Sequence, residues 1–231
     1  MLPQQNNLSV IITAAGNGER FNIKQKKQFI EFKGIEILTL NLKKWITFDF
    51  ISNIYLVLPI EDFEENSIKY KSLSDKIITV LGGKSRTESI SNALNVVKNC
   101  KKVLIHDGVR PFFTKNLIYS VINALNTYKA VIPALKVTDT IKEISDNVVI
   151  KTIDRKKYAT IQTPQGFDFD LISYAYKTYG NIDFYDDSSL IELLNESVFT
   201  VEGEWNNIKV TEQSQIPLIN YLTENFNDKN W

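Results

Sequence analysis

The sequence predicts an α/β fold in which a mostly parallel twisted sheet carries helices on both faces and a projecting β-arm. Two observations support this prediction. Short β-branched runs alternate with segments of helical period along most of the chain, and such alternation favours right-handed crossovers between parallel strands. The first run, residues 8–13 (LSVIIT), is β-branched or apolar almost throughout, as expected of a strand buried on both faces.

The later elements are assigned from hydrophobic period and from the Gly, Pro and polar residues that flank each run. We expect further strands over residues 54–59, 76–81, 103–106, 130–135 and 198–201. We expect helices over residues 35–48, 62–70, 85–98, 115–126, 168–179, 186–195 and 213–224.

The alternation breaks between residues 136 and 161. This stretch predicts β-branched segments around a turn at 145–147, which together form a β-arm at about 137–160. Because a two-stranded ribbon alone is only marginally stable, we expect a second copy of the chain to support it in a homodimer.

Length and composition limit the class of protein. At 231 residues, 43% of them hydrophobic, the chain fits one domain over 1–231 with a substantial core. Its 27 basic and 27 acidic residues leave no net charge, so we expect neither nucleic acid nor a membrane as partner. The single Cys100 excludes an intrachain disulfide and a cysteine zinc site.

We expect a cytoplasmic location. No apolar run approaches the roughly 18 residues of a spanning helix, and the N-terminal MLPQQNN lacks the features of a targeting leader.

A loop of small residues follows the first strand and is itself followed by positive charge. Nothing larger than Asn stands in residues 14–18 (AAGNG), so backbone N–H groups there can approach a ligand closely. The cations that follow are Arg20, Lys24, Lys26 and Lys27. This arrangement suits a polyphosphate. The alternative is an ordinary strand–turn–helix junction whose lysines are merely solvated.

Two familiar phosphate motifs are excluded. Phe21 stands where the third glycine of the dinucleotide fingerprint would be, and the P-loop pattern occurs nowhere in the chain. Nor do stacking aromatics accompany the lysines of residues 24–28 (KQKKQ), so single-stranded nucleic acid is not an expected ligand.

Other strand ends are expected to share one crevice with this loop, because ligands of parallel sheets bind beyond the carboxyl ends of the strands. We consider two roles for Asp107. It either faces a metal-bound phosphate or serves only to form the turn that follows the strand. Arg110 is a candidate for gripping an anionic substrate or for an ion pair with Asp107. The single histidine, His106, is expected to be a satisfied core residue, which leaves no histidine for a Ser-His-Asp triad, and one histidine cannot form a two-His metal site.

The order of the motifs is more specific than any one of them. AAGxGxR, KKQ, GGxxRxxS, HDGVRP, VxDT, DR, QTPQxF and NIKVT follow one another over residues 8–225. This series resembles the 2-C-methyl-D-erythritol 4-phosphate cytidylyltransferase family of the non-mevalonate isoprenoid pathway. It is similar, less closely, to the ribitol 5-phosphate cytidylyltransferases.

The resemblance implies a Rossmann-like homodimer that uses CTP and Mg²⁺ to transfer CMP to a polyol phosphate, releasing pyrophosphate. The residues that would hold the triphosphate are Ala14, Ala15, Gly16, Gly18, Arg20 and Lys27. Those that would receive cytosine and ribose are Gly82, Gly83 and Ser89. The substrate contacts carry over to Asp107, Arg110, Thr163 and Lys209, and the arm would bring Thr140 and Arg155 to the partner's active site.

The implied chemistry suits a chain with one histidine. A phosphomonoester has a second pKa of about 6, so its oxygen is ionised at neutral pH and needs no general base. Catalysis then requires positioning and cancellation of negative charge. The resemblance assigns that role to Arg20, Lys27, Arg155 and Lys209. Asp107 is also the candidate protein ligand of Mg²⁺, although the phosphates of CTP would hold most of the ion.

Four positions depart from the family pattern. They are Lys26 for the proline of PKQ, Lys84 for an acidic residue, Tyr185 for a threonine, and Asn206 for an acidic residue. Tyr185 and Asn206 belong to the polyol side and bear on which acceptor is used. Ribitol 5-phosphate is the alternative acceptor. A non-catalytic nucleotide-binding protein is the alternative of another class.

Overall fold

The computed structural model describes residues 7–16, 27–180, 182 and 184–225. Its strands are β1 Leu8–Thr13, β2 Glu31–Phe32, β3 Ile35–Glu36, β4 Asn53–Leu58, β5 Ile77–Leu81, β6 Lys102–Asp107, β7 Ala130–Lys136, β8 Ile141–Ser145, β9 Val148–Ile153, β10 Ala159–Ile161, β11 Gln165–Asp168 and β12 Phe199–Glu202. Its helices are α1 Ile37–Ile46, α2 Phe63–Lys71, α3 Arg86–Val96, α4 Lys115–Ala124, α5 Phe169–Tyr179, α6 Ser188–Leu193 and α7 Ile216–Asn225. Short 3₁₀ turns lie at Lys27–Phe29, Arg155–Lys157 and Gln213–Gln215.

One eight-stranded mixed sheet organises the molecule. Its order is β10-β7-β11-β6-β1-β4-β5, with β12 beside β7. The strands β6, β1, β4 and β5 run parallel to one another, and so do β7 and β12. The short strands β10 and β11 run antiparallel to their neighbours. The predicted α/β class with a mostly parallel sheet is confirmed.

Helices cover both faces of the sheet. Val10 and Ile12 of β1 pack in the core cluster that contains α1 and α4 residues, whereas Ile11 packs in the cluster that contains residues of α3, α5 and α6. All three side chains are fully buried. Successive strand residues point to opposite faces, so β1 contacts both helical layers and has no polar face, as its sequence indicates.

Side-chain caps fix where several helices begin. The Ser85 hydroxyl accepts a hydrogen bond from the Glu88 N–H at 3.0 Å, at the start of α3. The Thr114 hydroxyl does the same for the Leu117 N–H at 3.2 Å, at the start of α4. Such caps satisfy amide groups that have no partner within the helix. The start of α3 is therefore fixed directly beside Gly82-Gly83.

Two segments differ from the sequence prediction. The helix expected over 35–48 begins only at Ile37, because residues 35–36 form β3 and pair with β2. Residues 163–167, which the sequence prediction assigned to no strand or helix, lead into β11, which lies between β6 and β7. A Cβ on Gly166 would lie 2.6 Å from Leu125 Cδ1 and 2.8 Å from Val121 Cγ1. Glycine is needed there because α4 approaches the strand closely.

The predicted β-ribbon is present as β8 and β9. These strands pair only with each other among the described residues, and Asp146 and Asn147 form the turn with positive φ angles of 49° and 65°. Ile144 and Val148 are 61% and 62% exposed. An apolar ribbon with so little cover is consistent with the predicted homodimer, which stays a prediction.

Within the described ranges, no helix combines the length and the apolar character needed to cross a bilayer. The cytoplasmic location stays a prediction.

Candidate active site

A cleft of about 330 Å³ opens at the carboxyl ends of β1, β4, β5 and β6. It brings together residues that the sequence placed in a common crevice, although they come from four separate segments. They are Ala14, Ala15, Gly16, Gly83, Ser89, Asp107 and Lys209. The sheet topology explains the meeting, because the strands are parallel neighbours and end at the same edge.

The two-glycine turn after β5 presents a defined set of polar groups. The Gly82 N–H donates to the Leu58 carbonyl at 2.8 Å, and the Gly83 N–H donates to the Ser89 hydroxyl oxygen at 2.9 Å. Both amide protons are thus used within the protein. The turn therefore offers a ligand carbonyl oxygens, and Ser89 can still donate its hydroxyl proton.

Backbone crowding accounts for Gly82. A Cβ at this position would lie 2.5 Å from the Ala15 Cβ and 2.9 Å from the Leu58 carbonyl oxygen. Both distances are too short for a side chain, so the small residues of the two loops allow β1 and β5 to end close together.

Asp107, the last residue of β6, is the electrostatic centre of the cleft. Its Oδ2 receives Arg110 Nε at 3.1 Å and Lys209 Nζ at 3.0 Å. Burial would raise the pKa of this carboxyl, but Lys209, Arg110 and Arg86 together hold the pKa well below its usual range. Asp107 is thus an anion in the folded protein. The ion pair offered as the alternative role of Arg110 is present.

His106 supports this centre from beneath. It is fully buried, and its Nε2 lies 3.0 Å from the Arg110 carbonyl oxygen, which can only accept a hydrogen bond. Nε2 therefore carries the proton, and Nδ1 accepts from the Thr163 hydroxyl at 3.1 Å. The same hydroxyl oxygen accepts from the Asp107 N–H at 3.0 Å. As predicted, His106 is a satisfied core residue.

A buried amide pair holds the Lys209 segment against this region. The side chain of Asn207 donates through Nδ2 to the Thr163 backbone carbonyl at 2.8 Å. The backbone carbonyl of Asn207 accepts from Arg110 Nη1 at 2.9 Å. Gln162 Nε2 donates to the carbonyls of Glu204 and Asn207 at 2.8 and 3.2 Å. Lys209 therefore projects from a rigid loop. Neither Gln162 nor Asn207 has a role predicted from the sequence, although they belong to the QTPQxF and NIKVT motifs.

Arg86 is a further cleft residue without a predicted role. It forms two hydrogen bonds to the buried Asp187 carboxylate, at 3.0 and 2.6 Å, and Tyr176 donates its hydroxyl proton to the same group. Burial alone would lower the pKa of Arg86, but Asp187 raises it above the ordinary value. This ion pair joins α3 to the segment before α6. Arg86 is the arginine of the GGxxRxxS motif, and that motif was the sequence signal for this residue.

Some predicted residues do not lie at the cleft of this chain or cannot be placed. Gly18, Arg20 and Lys26 lie outside the described residues, as does the side chain of Lys27. Thr140 and Arg155 are exposed at the base of the β8–β9 ribbon, and the Arg155 guanidinium donates to the Thr138 carbonyl. Neither residue lines the described part of the cleft.

The described departures from the family pattern are also exposed. Lys84 lies on the cleft rim, and its backbone N–H donates to Glu88 Oε2 at 2.7 Å. Tyr185 and Asn206 point into solvent.

Among the residues that the structure describes, no metal site made by the protein alone is evident. The described residues contain no group of three or more His, Cys, Asp or Glu side chains able to hold an ion. Asp107 is the predicted ligand, and two cations already contact its Oδ2. A divalent ion here would need most of its oxygen ligands from a bound polyphosphate, as Mg²⁺ commonly does.

Comparison with known proteins assigns the family. The family model of 2-C-methyl-D-erythritol 4-phosphate cytidylyltransferase matches residues 8–224, from β1 into α7. The chain belongs to this cytidylyltransferase family. An enzyme of that name from Clostridium novyi is 40% identical over 221 residues, covering 93% of this chain and 96% of the relative. Another, from Clostridium beijerinckii, is 37% identical over 225 residues, covering 94% and 99%.

A solved structure has the same fold over nearly its whole length. The 4-diphosphocytidyl-2C-methyl-D-erythritol synthase of Anaerococcus prevotii superposes with a TM-score of 0.82 at 38% identity. The match covers 95% of this chain and 96% of that one. The family match over residues 8–224 therefore spans the β1 loop, the Asp107 region and the Lys209 loop.

Proposed function

We propose that this chain transfers the cytidylyl group of CTP to 2-C-methyl-D-erythritol 4-phosphate and releases pyrophosphate. The observation that carries the proposal is the cleft itself. It places the small-residue loop after β1, the two-glycine turn after β5 and the Asp107–Lys209 pair around one space. These three parts suit a triphosphate, a base and an incoming phosphate, respectively.

The bond changes require no general base. An oxygen of the acceptor phosphate forms a bond to the α-phosphorus of CTP, and the bond from that phosphorus to the bridging oxygen breaks. Pyrophosphate leaves with the electron pair. The attacking phosphate is already ionised at neutral pH. This agrees with a site whose nearest histidine is buried and uses both ring nitrogens within the protein.

Positive charge is the main catalytic requirement. Two crowded phosphate groups meet in the transition state, and preorganised cations stabilise that charge. Lys209 is 39% exposed and already points at the carboxylate of Asp107, so an incoming phosphate can share this cation. Arg20 and Lys27 are proposed to stabilise the triphosphate, and Arg110 to orient the acceptor.

The turn after β5 suits cytosine. Its carbonyl oxygens can accept from the cytosine 4-amino group, and the Ser89 hydroxyl, which accepts from the Gly83 N–H, can donate to a ring acceptor. Uracil has a carbonyl oxygen in place of the amino group and would face another carbonyl. Lys84 contacts Glu88 through its backbone N–H. The replacement of the family's acidic residue by Lys84 therefore leaves the hydrogen-bonding groups of the turn unchanged.

Mg²⁺ is the proposed cofactor. It would be held mainly by the phosphates of CTP, with Asp107 as the candidate protein ligand, and would neutralise phosphate charge. The protein's own contribution is to orient the triphosphate through the β1 loop and to supply the cations of the cleft.

The homodimer is also part of the proposal. Thr140 and Arg155 are exposed at the base of an apolar ribbon, away from the cleft of their own chain. A second copy that covers the ribbon could receive both residues at its acceptor site. Arg155 would then steer the acceptor phosphate in the partner's active site.

The deciding assay measures pyrophosphate release from CTP at saturating Mg²⁺ with each polyol phosphate in turn. We expect release with 2-C-methyl-D-erythritol 4-phosphate. Release only with ribitol 5-phosphate would identify that compound as the acceptor and would leave the proposed type of reaction unchanged. CTP binding without release with either compound would favour a non-catalytic nucleotide-binding protein.

Mixing two inactive variants tests the shared active site. Alone, Arg155→Ala should abolish turnover and Lys209→Met should lower it by about 10²–10³, while CTP binding persists in both. If Arg155 acts across the interface, random exchange of subunits restores one intact site in each mixed dimer, or about a quarter of wild-type activity. No recovery after verified subunit exchange would place both residues in the same site.

A further inference from the structure

Gln28 makes an unusual pair of contacts to the loop after β1. Its side chain is 1% exposed and lines the cleft. The Nε2 group donates to the Ala14 carbonyl at 2.7 Å and to the Gly16 carbonyl at 3.2 Å. Carbonyl oxygens only accept hydrogen bonds, so the amide nitrogen must face them, and both of its protons are used.

These two bonds set the direction of the loop peptides. In a planar trans peptide the C=O and the following N–H point in opposite directions. Holding the Ala14 carbonyl toward Gln28 therefore turns the Ala15 N–H away from Gln28. The Ala14 N–H is itself bound to the Val57 carbonyl at 2.9 Å, whereas the Ala15 N–H has no partner among the described residues.

Gln28 also links this loop to the next segment of the site. It lies in the 3₁₀ turn Lys27–Phe29 and directly follows Lys27 in sequence. Consecutive Cα atoms are about 3.8 Å apart, so fixing Gln28 against residues 14–16 fixes the backbone of Lys27 relative to the same loop. The Gln28 side chain thus sets the spacing between the loop at residues 14–16 and Lys27, a predicted catalytic residue.

We propose that Gln28 is the positioning residue that orients the Ala14–Gly16 loop and Lys27 for a nucleoside triphosphate. The inference rests on the proposed function, because it assigns the β- and γ-phosphates to this side of the cleft. Gln28 itself donates both amide protons to the protein, so it acts through the loop rather than on the phosphates.

The test compares binding of CTP and CMP by calorimetry without acceptor. CMP keeps the base, ribose and first phosphate but lacks the phosphates that the loop is proposed to receive. Gln28→Glu keeps the size of the side chain but turns an oxygen toward two carbonyls, and Gln28→Met removes both donors. We expect the Kd for CTP to rise about tenfold or more in either variant, while the Kd for CMP stays within about twofold of wild type.

Val121→Ala is the matched stability control, because Val121 is fully buried in α4 and does not line the cleft. It should lower the melting temperature without changing the ratio of the two Kd values. If the Gln28 variants fold and lose CTP and CMP equally, Gln28 is only structural and the proposal fails. It also fails if wild type binds CTP no better than CMP, or if neither Gln28 variant folds under conditions in which Val121→Ala does.

The proposed function has a separate readout. Pyrophosphate release by the wild-type enzyme tests the reaction, whereas the CTP-to-CMP ratio tests Gln28 even in a chain that binds CTP without turnover.

Discussion

The single histidine makes the acid sensitivity of this protein unusually simple to test. Burial lowers the pKa of His106 from 6.5 to about 3, although neighbouring Asp107 opposes the shift. The folded protein therefore keeps the imidazole neutral, with its proton on Nε2, while the unfolded chain takes up a proton below pH 6.5. Protonation of the unfolded state alone makes folding less favourable as the pH falls.

The size of the effect follows from the shift. Roughly 3.5 pKa units at about 1.4 kcal/mol each correspond to about 5 kcal/mol between pH 6.5 and pH 3. This is a large fraction of the stability of an ordinary domain. By pH 4.5 the expected loss is about 3 kcal/mol. The carboxyl of Asp107, whose pKa is lowered, adds its own loss only at still lower pH, below its ordinary value of 3.8.

Two measurements check this reasoning. Urea unfolding at pH 4.5 to 7.5 should show stability falling with acid, and His106→Asn should lack most of that slope because an amide does not titrate. Nitrogen-15 NMR should show one imidazole that stays neutral and Nε2-protonated at pH 5. An imidazole that titrates near pH 6.5 in the folded protein would refute the argument.

Three further predictions follow from individual contacts. Ser89→Ala should reduce the preference for CTP over UTP by about threefold to tenfold in kcat/KM, the loss expected for one hydrogen bond. Lys209→Met should lower kcat by about 10²–10³ while leaving the Kd for CTP within about threefold, measured by pyrophosphate release and calorimetry. Burial lowers the pKa of Lys44 to about 7, so wild-type stability should rise between pH 7 and 10.5 by up to about 1.4 kcal/mol per unit. Urea unfolding of Lys44→Met should show no such rise; an equal rise would assign it to other groups.

The sequence predicted the parts of the fold that follow from hydrophobic period. The parallel strands and their covering helices were recognisable because strands such as β1 are apolar on both faces. The sequence also located the strand-end residues of the cleft, since parallel strands bring their carboxyl ends to one edge. Periodicity could not find β11, because four residues with a central glycine carry no alternating pattern. Its Gly166 reflects the close approach of α4, a tertiary constraint.

The buried polar contacts were also beyond prediction from the sequence. Three such residues belong to the sequence motifs: Gln28, Gln162 and Asn207. Their structural role depends on which backbone carbonyls their side-chain amides bind. Those partners are up to 45 residues away for the Gln162–Asn207 bond. Similarly, the pairing of Arg86 with Asp187 spans 101 residues. Residue type alone indicates that a buried amide or guanidinium needs a partner, and only the folded chain determines which.

The docking of the Lys209 loop has a consequence for how the protein matures. Arg110 and Asn207 are joined across 97 residues, so the acceptor half of the cleft depends on a segment that leaves the ribosome long after β6. The β1 loop and the turn after β5 are complete much earlier, and their strands can pair before Asn207 is made. Nucleotide affinity should therefore appear before acceptor affinity during folding, because distant contacts form more slowly than near ones. The chain would therefore form its nucleotide site first and its acceptor site second, in the order in which the segments of the two sites are synthesised.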